Sequence, residues 1–189
     1  MSRLSQKVLL FANAISMAHP TRMWKIACDL ESLGYQVHFA TSETYFKYLL
    51  PANPYIQLYP ISSLSSRDFN DRLYRAQFIF KPDELIRDTQ EDSRLVDAIL
   101  PDVILGDFRQ TAYIPARMHG IPFLNVNQCH WSAGFEKQGV LPPIQPVRIF
   151  GRTLSSVVEP IISPFVLRAM LRQVNEFFYD HPLARKAGL

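Results

Sequence analysis

The chain has 189 residues, of which 48% are hydrophobic and 20% charged, and its formal net charge is +3. This composition is typical of one globular domain with a buried core, and it argues against intrinsic disorder. The small charge and the scattered Lys and Arg residues argue against nucleic-acid binding. The two cysteines, Cys28 and Cys129, fit a reduced, cytoplasmic setting, and the His and Cys spacing predicts no metal site.

The first elements of the chain form a βαβ pattern. The apolar run Lys7–Ala12 is typical of a strand that is buried on both faces, as in a parallel sheet. In the stretch Pro20–Leu33, apolar residues recur at three- and four-residue spacing, which predicts a helix that Gly34 ends. A second strand is predicted over Tyr35–Ala40, which completes the unit.

Strand and helix patterns continue to alternate after this unit. Further strands are predicted at Ile56–Ile61, Val103–Gly106 and Pro122–Val126, and helices at Thr44–Leu50, Asp68–Phe80, Pro82–Leu100 and Thr111–His119. Such alternation predicts an α/β fold, a Rossmann-like, doubly wound parallel sheet with helices on both faces.

The pattern changes after Asn127. A loop rich in Pro and Gly is predicted over Gly134–Gln145, and an apolar stretch with helical period follows at Val147–Tyr179, interrupted by prolines. We therefore expect a Rossmann-like domain over residues 1–145 and a C-terminal helical segment over residues 146–189.

The predicted topology indicates where a site would lie. Open parallel sheets bind ligands outside the carboxyl ends of their strands, where the strand order reverses. If the order is 3-2-1-4-5, the first and fourth strands are neighbours, and His19 and Asp107 face one crevice. A carboxylate that orients an imidazole makes a general base. The plainer alternatives are a surface or capping role for His19 and a turn or N-cap role for Asp107.

Two common site motifs are missing from the sequence. The segment Asn13–His19 contains no glycine, so it holds neither a G-x-G-x-x-G motif nor a P-loop. No G-x-S-x-G elbow is present either. These observations argue against dinucleotide binding in the first turn and against a serine hydrolase.

Two segments carry a resemblance to a known family. Lys7–Ala40, with its strand, a loop ending in His19, a helix and the pattern G-x-x-V-x-F-A, resembles the opening of GT-B glycosyltransferases of the UDP-glycosyltransferase and macrolide-glycosyltransferase type. Pro101–Trp131 resembles their later block P-D-x-V-x-x-D…A-x-x-x-G-I-P. The resemblance implies that His19 is the catalytic base and that Asp107 is its carboxylate partner. It also implies an inverting transfer that needs no metal.

The same resemblance implies that this domain binds the acceptor. The positions that would line the pocket are Ile15, Met17, Phe78, Phe80, Trp131 and Phe135. Apolar and aromatic side chains suit a hydrophobic small-molecule acceptor. For Phe78 and Phe80, ordinary core packing is an equal alternative. No cofactor is expected, since the nucleotide-sugar donor is a co-substrate that a second domain would bind.

Nothing after Asn127 resembles that donor-binding domain. We therefore expect a fragment of a longer protein or one subunit of a split enzyme, inactive without a donor-binding domain in cis or in trans. The alternatives are a non-catalytic acceptor- or membrane-binding subunit that uses the apolar segment Val147–Phe178, and half of a GT-B-like sugar-nucleotide epimerase. A homodimer is a further expectation, because an exposed apolar helix favours self-association.

Overall fold

The computed structural model describes residues 6–49, 53–75, 77–127, 176–178, 182 and 185. Its strands are β1 (Lys7–Ala12), β2 (Gln36–Thr41), β3 (Gln57–Pro60), β4 (Val103–Asp107) and β5 (Phe123–Asn125). Its helices are α1 (Ala18–Ser32), α2 (Phe46–Leu49), α3 (Ser66–Tyr74), α4 (Pro82–Ile99) and α5 (Tyr113–Met118), with 3₁₀ turns at Glu43–Tyr45 and Gln110–Ala112.

The five strands form one parallel sheet in the order β3-β2-β1-β4-β5. This is the order on which the predicted site depends, because it makes β1 and β4 neighbours. Val8 pairs with Val103 at one end of this ladder, and Ala12 pairs with Asp107 at the other. The carboxyl ends of both strands therefore open at the same edge of the sheet.

Helices cover both faces of the sheet, as the sequence predicted. Successive residues of β1 point to opposite faces. Val8 and Leu10 join a buried cluster with Met23 and Trp24 of α1. On the opposite face, the residues that form the second cluster come from β1, α4, β4 and the α5 region, and include Leu9, Phe11, Val96, Ile99, Ile104, Ala112 and Ala116. The doubly wound α/β class is confirmed.

Two helix boundaries differ from the prediction in ways that affect the site. The helix α1 begins at Ala18, ahead of the predicted start, and the Thr21 amide donates to the Met17 carbonyl at 3.1 Å. Pro20 is tolerated there because the amides of a first turn have no helical acceptor. His19 therefore lies in the first turn of a helix rather than in a linker.

The helix α3 ends at Tyr74, well before the predicted Phe80, so Phe78 and Phe80 lie in the connection to α4. The Arg72 guanidinium holds this connection by donating to the Ile79 carbonyl at 2.5 Å. The next helix then begins after Lys81, whose amide donates to the Glu84 carboxylate at 3.0 Å. Pro82 at the first position of α4 fits this start.

Part of the predicted C-terminal segment lies outside the described residues, as do Cys129 and the predicted loop Gly134–Gln145. The described part, residues 176–178, is helical, and Phe177 is buried in a cluster with Leu85 and Ile114. Among the helices that the structure describes, none combines the length and apolar character needed to cross a membrane.

Candidate active site

The site lies where the loops after β1 and β4 meet. The ladder between these strands is extended by the Asn13 amide, which donates to the Asp107 carbonyl at 3.0 Å. The chain then enters α1, which presents His19 from its first turn. Asp107 is the last residue of β4 and its backbone is fixed by the sheet. Both side chains therefore project from ordered elements.

His19 and Asp107 are in direct contact. The distance from His19 Nδ1 to Asp107 Oδ1 is 2.8 Å, and the two side chains are 13% and 2% exposed. An ionised carboxylate can only accept hydrogen bonds, so Nδ1 carries the proton in this contact. The lone pair of the neutral imidazole is then on Nε2, which can accept a proton from another molecule.

A third residue, Arg22, completes the site and was not identified from the sequence. Arg22 Nε and Nη2 donate to Asp107 Oδ2 at 3.0 and 2.6 Å. The nitrogen Nη2 also lies 3.3 Å from His19 Nδ1. Residues three apart share one face of a helix, so the spacing of His19 and Arg22 was the signal. The shared face was not recognised because the predicted helix began at Pro20, which left His19 outside the helix.

Phe108 follows Asp107 with a left-handed backbone and forms an aromatic wall. Its φ of +56° is unusual for a bulky residue and costs about 1–3 kcal/mol. The Phe108 carbonyl accepts a hydrogen bond from Asn13 Nδ2 at 3.2 Å. Its ring centroid lies 5.4 Å from that of His19, 6.2 Å from Phe69 and 5.8 Å from Phe80.

The residues predicted to line an acceptor pocket have different surroundings. Ile15 is only 4% exposed and is part of the interior, whereas Met17 and Phe78 are 49% and 38% exposed. Phe80 is half-buried and packs against the Phe108 ring. Trp131 and Phe135 lie outside the described residues. Among the four residues of this set that the structure describes, Phe80 is the one joined to His19 through a chain of ring contacts.

A buried ionic cluster lies beneath the loop that carries Asp107. The Arg109 side chain is 1% exposed, and its guanidinium contacts Asp92 at 3.0 Å, Asp88 at 3.1 Å and Glu91 at 3.3 Å. It also donates to the Ser62 carbonyl at 2.6 Å. Burial raises the pKa of Asp92 to about 6, against the attraction of the Arg109 charge. The cluster anchors the loop after β4 to α4 and to the loop after β3.

The loop after β3 contacts the loop after β1 in turn. Ser63 Oγ accepts from the Ala14 amide at 3.1 Å, and Ser66 Oγ donates to the Ile15 carbonyl. A cleft of about 200 Å³ opens beside these contacts, between α3 and the start of α4. Its lining consists of Ser63, Leu64, Ser65, Asp68, Arg72, Phe80, Glu84, Arg87 and Asp88. The cleft is therefore largely polar and shares Phe80 with the aromatic wall.

The chain has relatives among mycobacterial glycosyltransferases, although no family model matches it. It is 29% identical over 179 residues to the "PGL/p-HBAD biosynthesis rhamnosyltransferase" of Mycobacterium tuberculosis (strain ATCC 25177 / H37Ra), and the alignment covers 95% of this chain and 39% of the relative. An "Inactive PGL/p-HBAD biosynthesis glycosyltransferase" of Mycobacterium bovis (strain BCG / Pasteur 1173P2) is 26% identical, with 95% and 48% covered. The chain thus spans less than half the length of these relatives.

The crystal structure of the glycotransferase of kitacinnamycin shares the fold. It superposes with a TM-score of 0.59 at 17% identity, over 98% of this chain and 43% of that one. This likeness extends over nearly the whole of the present chain but less than half of the larger protein. The glycosyltransferase relatives and the shared fold are both consistent with the resemblance that the motifs carry, which is to an N-terminal domain of the GT-B type.

Proposed function

We propose that the chain is the acceptor-binding half of an inverting glycosyltransferase, with His19 as the catalytic base and Asp107 as the residue that orients it. The observation that carries this proposal is the 2.8 Å contact between His19 Nδ1 and a carboxylate whose side chain is 2% exposed. A buried carboxylate fixes the imidazole tautomer and stabilises the imidazolium that forms during proton transfer.

The proposed reaction uses only these groups and two substrates. His19 Nε2 takes the proton of an acceptor hydroxyl as its oxygen attacks the anomeric carbon of a nucleotide-sugar. The new bond joins the acceptor oxygen to that carbon, and the bond from carbon to the nucleotide's phosphate oxygen breaks, so the nucleotide leaves with the electron pair. Attack opposite to the leaving group inverts the configuration at this carbon. The donor is a co-substrate, and the step uses neither a cofactor nor a metal.

The proposed acceptor is a hydrophobic small molecule that carries a hydroxyl. Phe108 and Phe80 lie beside the imidazole, and Met17 and Phe78 offer exposed apolar surface nearby in the chain. Trp131 and Phe135 belong to the same proposal through the family resemblance, as does Ile15 as a buried support. Apolar walls with few polar groups favour an apolar ligand that is oriented by its hydroxyl.

The donor would bind to a second domain. The chain spans 39% of the first relative named above, which leaves room in such proteins for a further domain. We propose that residues 1–145 form the acceptor domain, that residues 146–189 lead towards the donor domain, and that the protein works in the cytoplasm. The donor domain is supplied in cis or in trans.

A second candidate function is a non-catalytic, acceptor-binding subunit. The observation that favours it is the relative whose name calls it inactive, at 26% identity over 179 residues. Such a subunit would bind the acceptor and a partner enzyme without performing the proton transfer, so replacing His19 would leave transfer unchanged.

One experiment tests both candidates. The chain is combined with the donor-binding domain of a relative, and transfer from nucleotide-sugars to a panel of phenols and long-chain alcohols is measured for wild type and His19→Gln. Loss of a general base costs about 100- to 10,000-fold in rate, while acceptor binding should persist. His38→Gln is the matched control, because His38 lies in β2 and contacts Tyr59. Equal transfer by wild type and His19→Gln would exclude the catalytic proposal and favour the subunit.

A further inference from the structure

The carboxylate of Asp107 divides its two oxygens between two partners. Oδ1 accepts from His19 Nδ1 at 2.8 Å, and Oδ2 accepts from two nitrogens of Arg22 at 3.0 and 2.6 Å. With a side chain that is 2% exposed, Asp107 has almost no access to water. Its negative charge is therefore balanced by protein groups alone, and Arg22 provides the only full positive charge that contacts it in the described part of the chain.

The geometry of Arg22 is suited to holding a carboxylate in one orientation. A guanidinium presents its N–H groups in a rigid plane, so two bonds to one oxygen restrict rotation of the carboxylate. Arg22 lies one turn along α1 from His19, so one helix positions both partners of Asp107. The arginine bonds to Oδ2 thereby help to keep Oδ1 at its 2.8 Å distance from His19 Nδ1.

The positive charge of Arg22 also compensates the buried carboxylate that orients the imidazole. Paired with Arg22, an ionised Asp107 forms a neutral unit, and His19 can remain uncharged with its proton on Nδ1. Without a guanidinium, the buried carboxylate would be uncompensated, which is costly. Oδ2 would also lose both of its donors, so nothing in the described part of the chain would hold Oδ1 against His19 Nδ1 from the other side of the carboxylate.

We propose that Arg22 is a positioning residue that fixes Asp107 and thereby keeps His19 in the neutral form protonated at Nδ1. This inference deepens the proposed function and depends on it for its catalytic consequence. Arg22 acts through Asp107 and is not proposed to contact the substrates, although its side chain is 30% exposed. The charged groups that contact the His19 imidazole in the described ranges are Asp107 and Arg22.

The first test uses the chain itself and needs no transfer. Two-dimensional ¹⁵N NMR of the histidine-labelled protein reports which imidazole nitrogen is protonated. We expect the pattern of protonation at Nδ1 for His19 in wild type and in Arg22→Lys, which keeps the charge. We expect loss of that pattern in Arg22→Met, which keeps the length but lacks charge and donors. Lys25→Met is the matched control, because Lys25 lies on the same helix, is 73% exposed and pairs with Asp29.

The second test measures transfer after a donor-binding domain is supplied. Misplacement of a catalytic group by a distant change costs about 100-fold, so Arg22→Met should lower kcat by that order with acceptor KM nearly unchanged. Arg22→Lys should recover part of the rate, because it restores the charge but not the planar pair of donors, and Lys25→Met should match wild type. If Arg22→Met does not fold, as judged by its amide spectrum, Arg22→Gln replaces it in both tests.

The outcomes separate the two proposals. Wild-type imidazole protonation and wild-type kcat in Arg22→Met would overturn the role of Arg22. A rise in donor KM at constant kcat would also overturn it, because it would show that Arg22 contacts the donor. If the NMR pattern changes as expected but no transfer occurs even in wild type, the proposed function fails and the positioning by Arg22 stands.

Discussion

Asn13 Nδ2 donates a hydrogen bond to the Phe108 carbonyl at 3.2 Å, which joins the residue after β1 to the residue after Asp107. The bond supports a backbone that Phe108 adopts at φ +56°. Asn13 is 1% exposed, and its side-chain oxygen has no hydrogen-bond partner among the described residues. The contact therefore holds the loop in place from within the protein rather than from its surface.

Replacing Asn13 by Ala should destabilise the domain by about 1–3 kcal/mol, because the part-buried Phe108 carbonyl loses its side-chain donor. Urea unfolding followed by fluorescence measures this change. The matched control is Asn53→Ala, since Asn53 is only half-buried and bonds to Glu31 at 3.1 Å. If the free energy of unfolding of Asn13→Ala is no lower than that of Asn53→Ala, the bond from Asn13 to Phe108 does not stabilise the loop.

Replacing Arg109 by Met should cost about 3–5 kcal/mol, because it leaves the buried carboxylate of Asp92 without its cation and removes one of the two arginines that contact Asp88. Arg87→Met is the control: Arg87 also contacts Asp88, at 3.0 Å, but its side chain is 50% exposed. An exposed pair contributes about 0–1 kcal/mol. Thermal and urea unfolding of the two variants test the difference, and equal losses would show that burial of the cluster is unimportant.

The pH dependence of stability should include a contribution from His38. Burial lowers the pKa of His38 below its ordinary value of about 6.5, and the nearby Lys7 charge adds to this effect. The unfolded chain therefore binds a proton more readily than the folded one, so stability falls as the pH drops below about 6.5. The free energy of unfolding of His38→Gln should decline less steeply over this range. If the free energies of unfolding of wild type and His38→Gln change with pH in the same way, His38 does not make this contribution.

Gly106 in β4 should not tolerate a methyl group. An added Cβ would lie 2.7 Å from Phe123 Cζ and 2.9 Å from Phe123 Cε2 on the neighbouring strand. Gly106→Ala should therefore cost about 1–3 kcal/mol through overpacking. In a Phe123→Leu background the same substitution should cost less, by at least about 0.5 kcal/mol. The free energies of unfolding of wild type, the two single variants and the double variant give this coupling. If the two losses of stability simply add, the contact is excluded.

Much of the sheet could be predicted because its strands are short apolar runs. The segments at β1 and β4 have the patterns of strands buried on both faces, and their adjacency places Asp107 within reach of α1. The family motifs indicated His19 and Asp107 independently. These signals are local in sequence or lie at strand ends, where general rules of α/β folds apply.

Other features depend on contacts that the sequence pattern does not reveal. The left-handed backbone of Phe108 is rare for a non-glycine residue, so residue preferences do not predict it. The buried role of Arg109 follows from acidic residues on α4, where Asp88 and Asp92 share the stripe that continues with Val96. The acidic residues at i, i+4 spacing on an otherwise apolar helix face indicated a buried charge. Their partner, Arg109, could not be identified because it lies after the next strand, β4.

In the proposed mechanism, His19 and Asp107 act as one catalytic unit. The most direct test is a double-mutant cycle in which transfer rates at saturating substrates are measured for wild type, His19→Ala, Asp107→Ala and the double variant, each with the donor-binding domain supplied. The effects of groups that act as a unit are strongly non-additive, so we expect the double variant to be no slower than the slower single variant. If the two losses in rate multiply in the double variant, the two residues act independently and the proposed mechanism is contradicted.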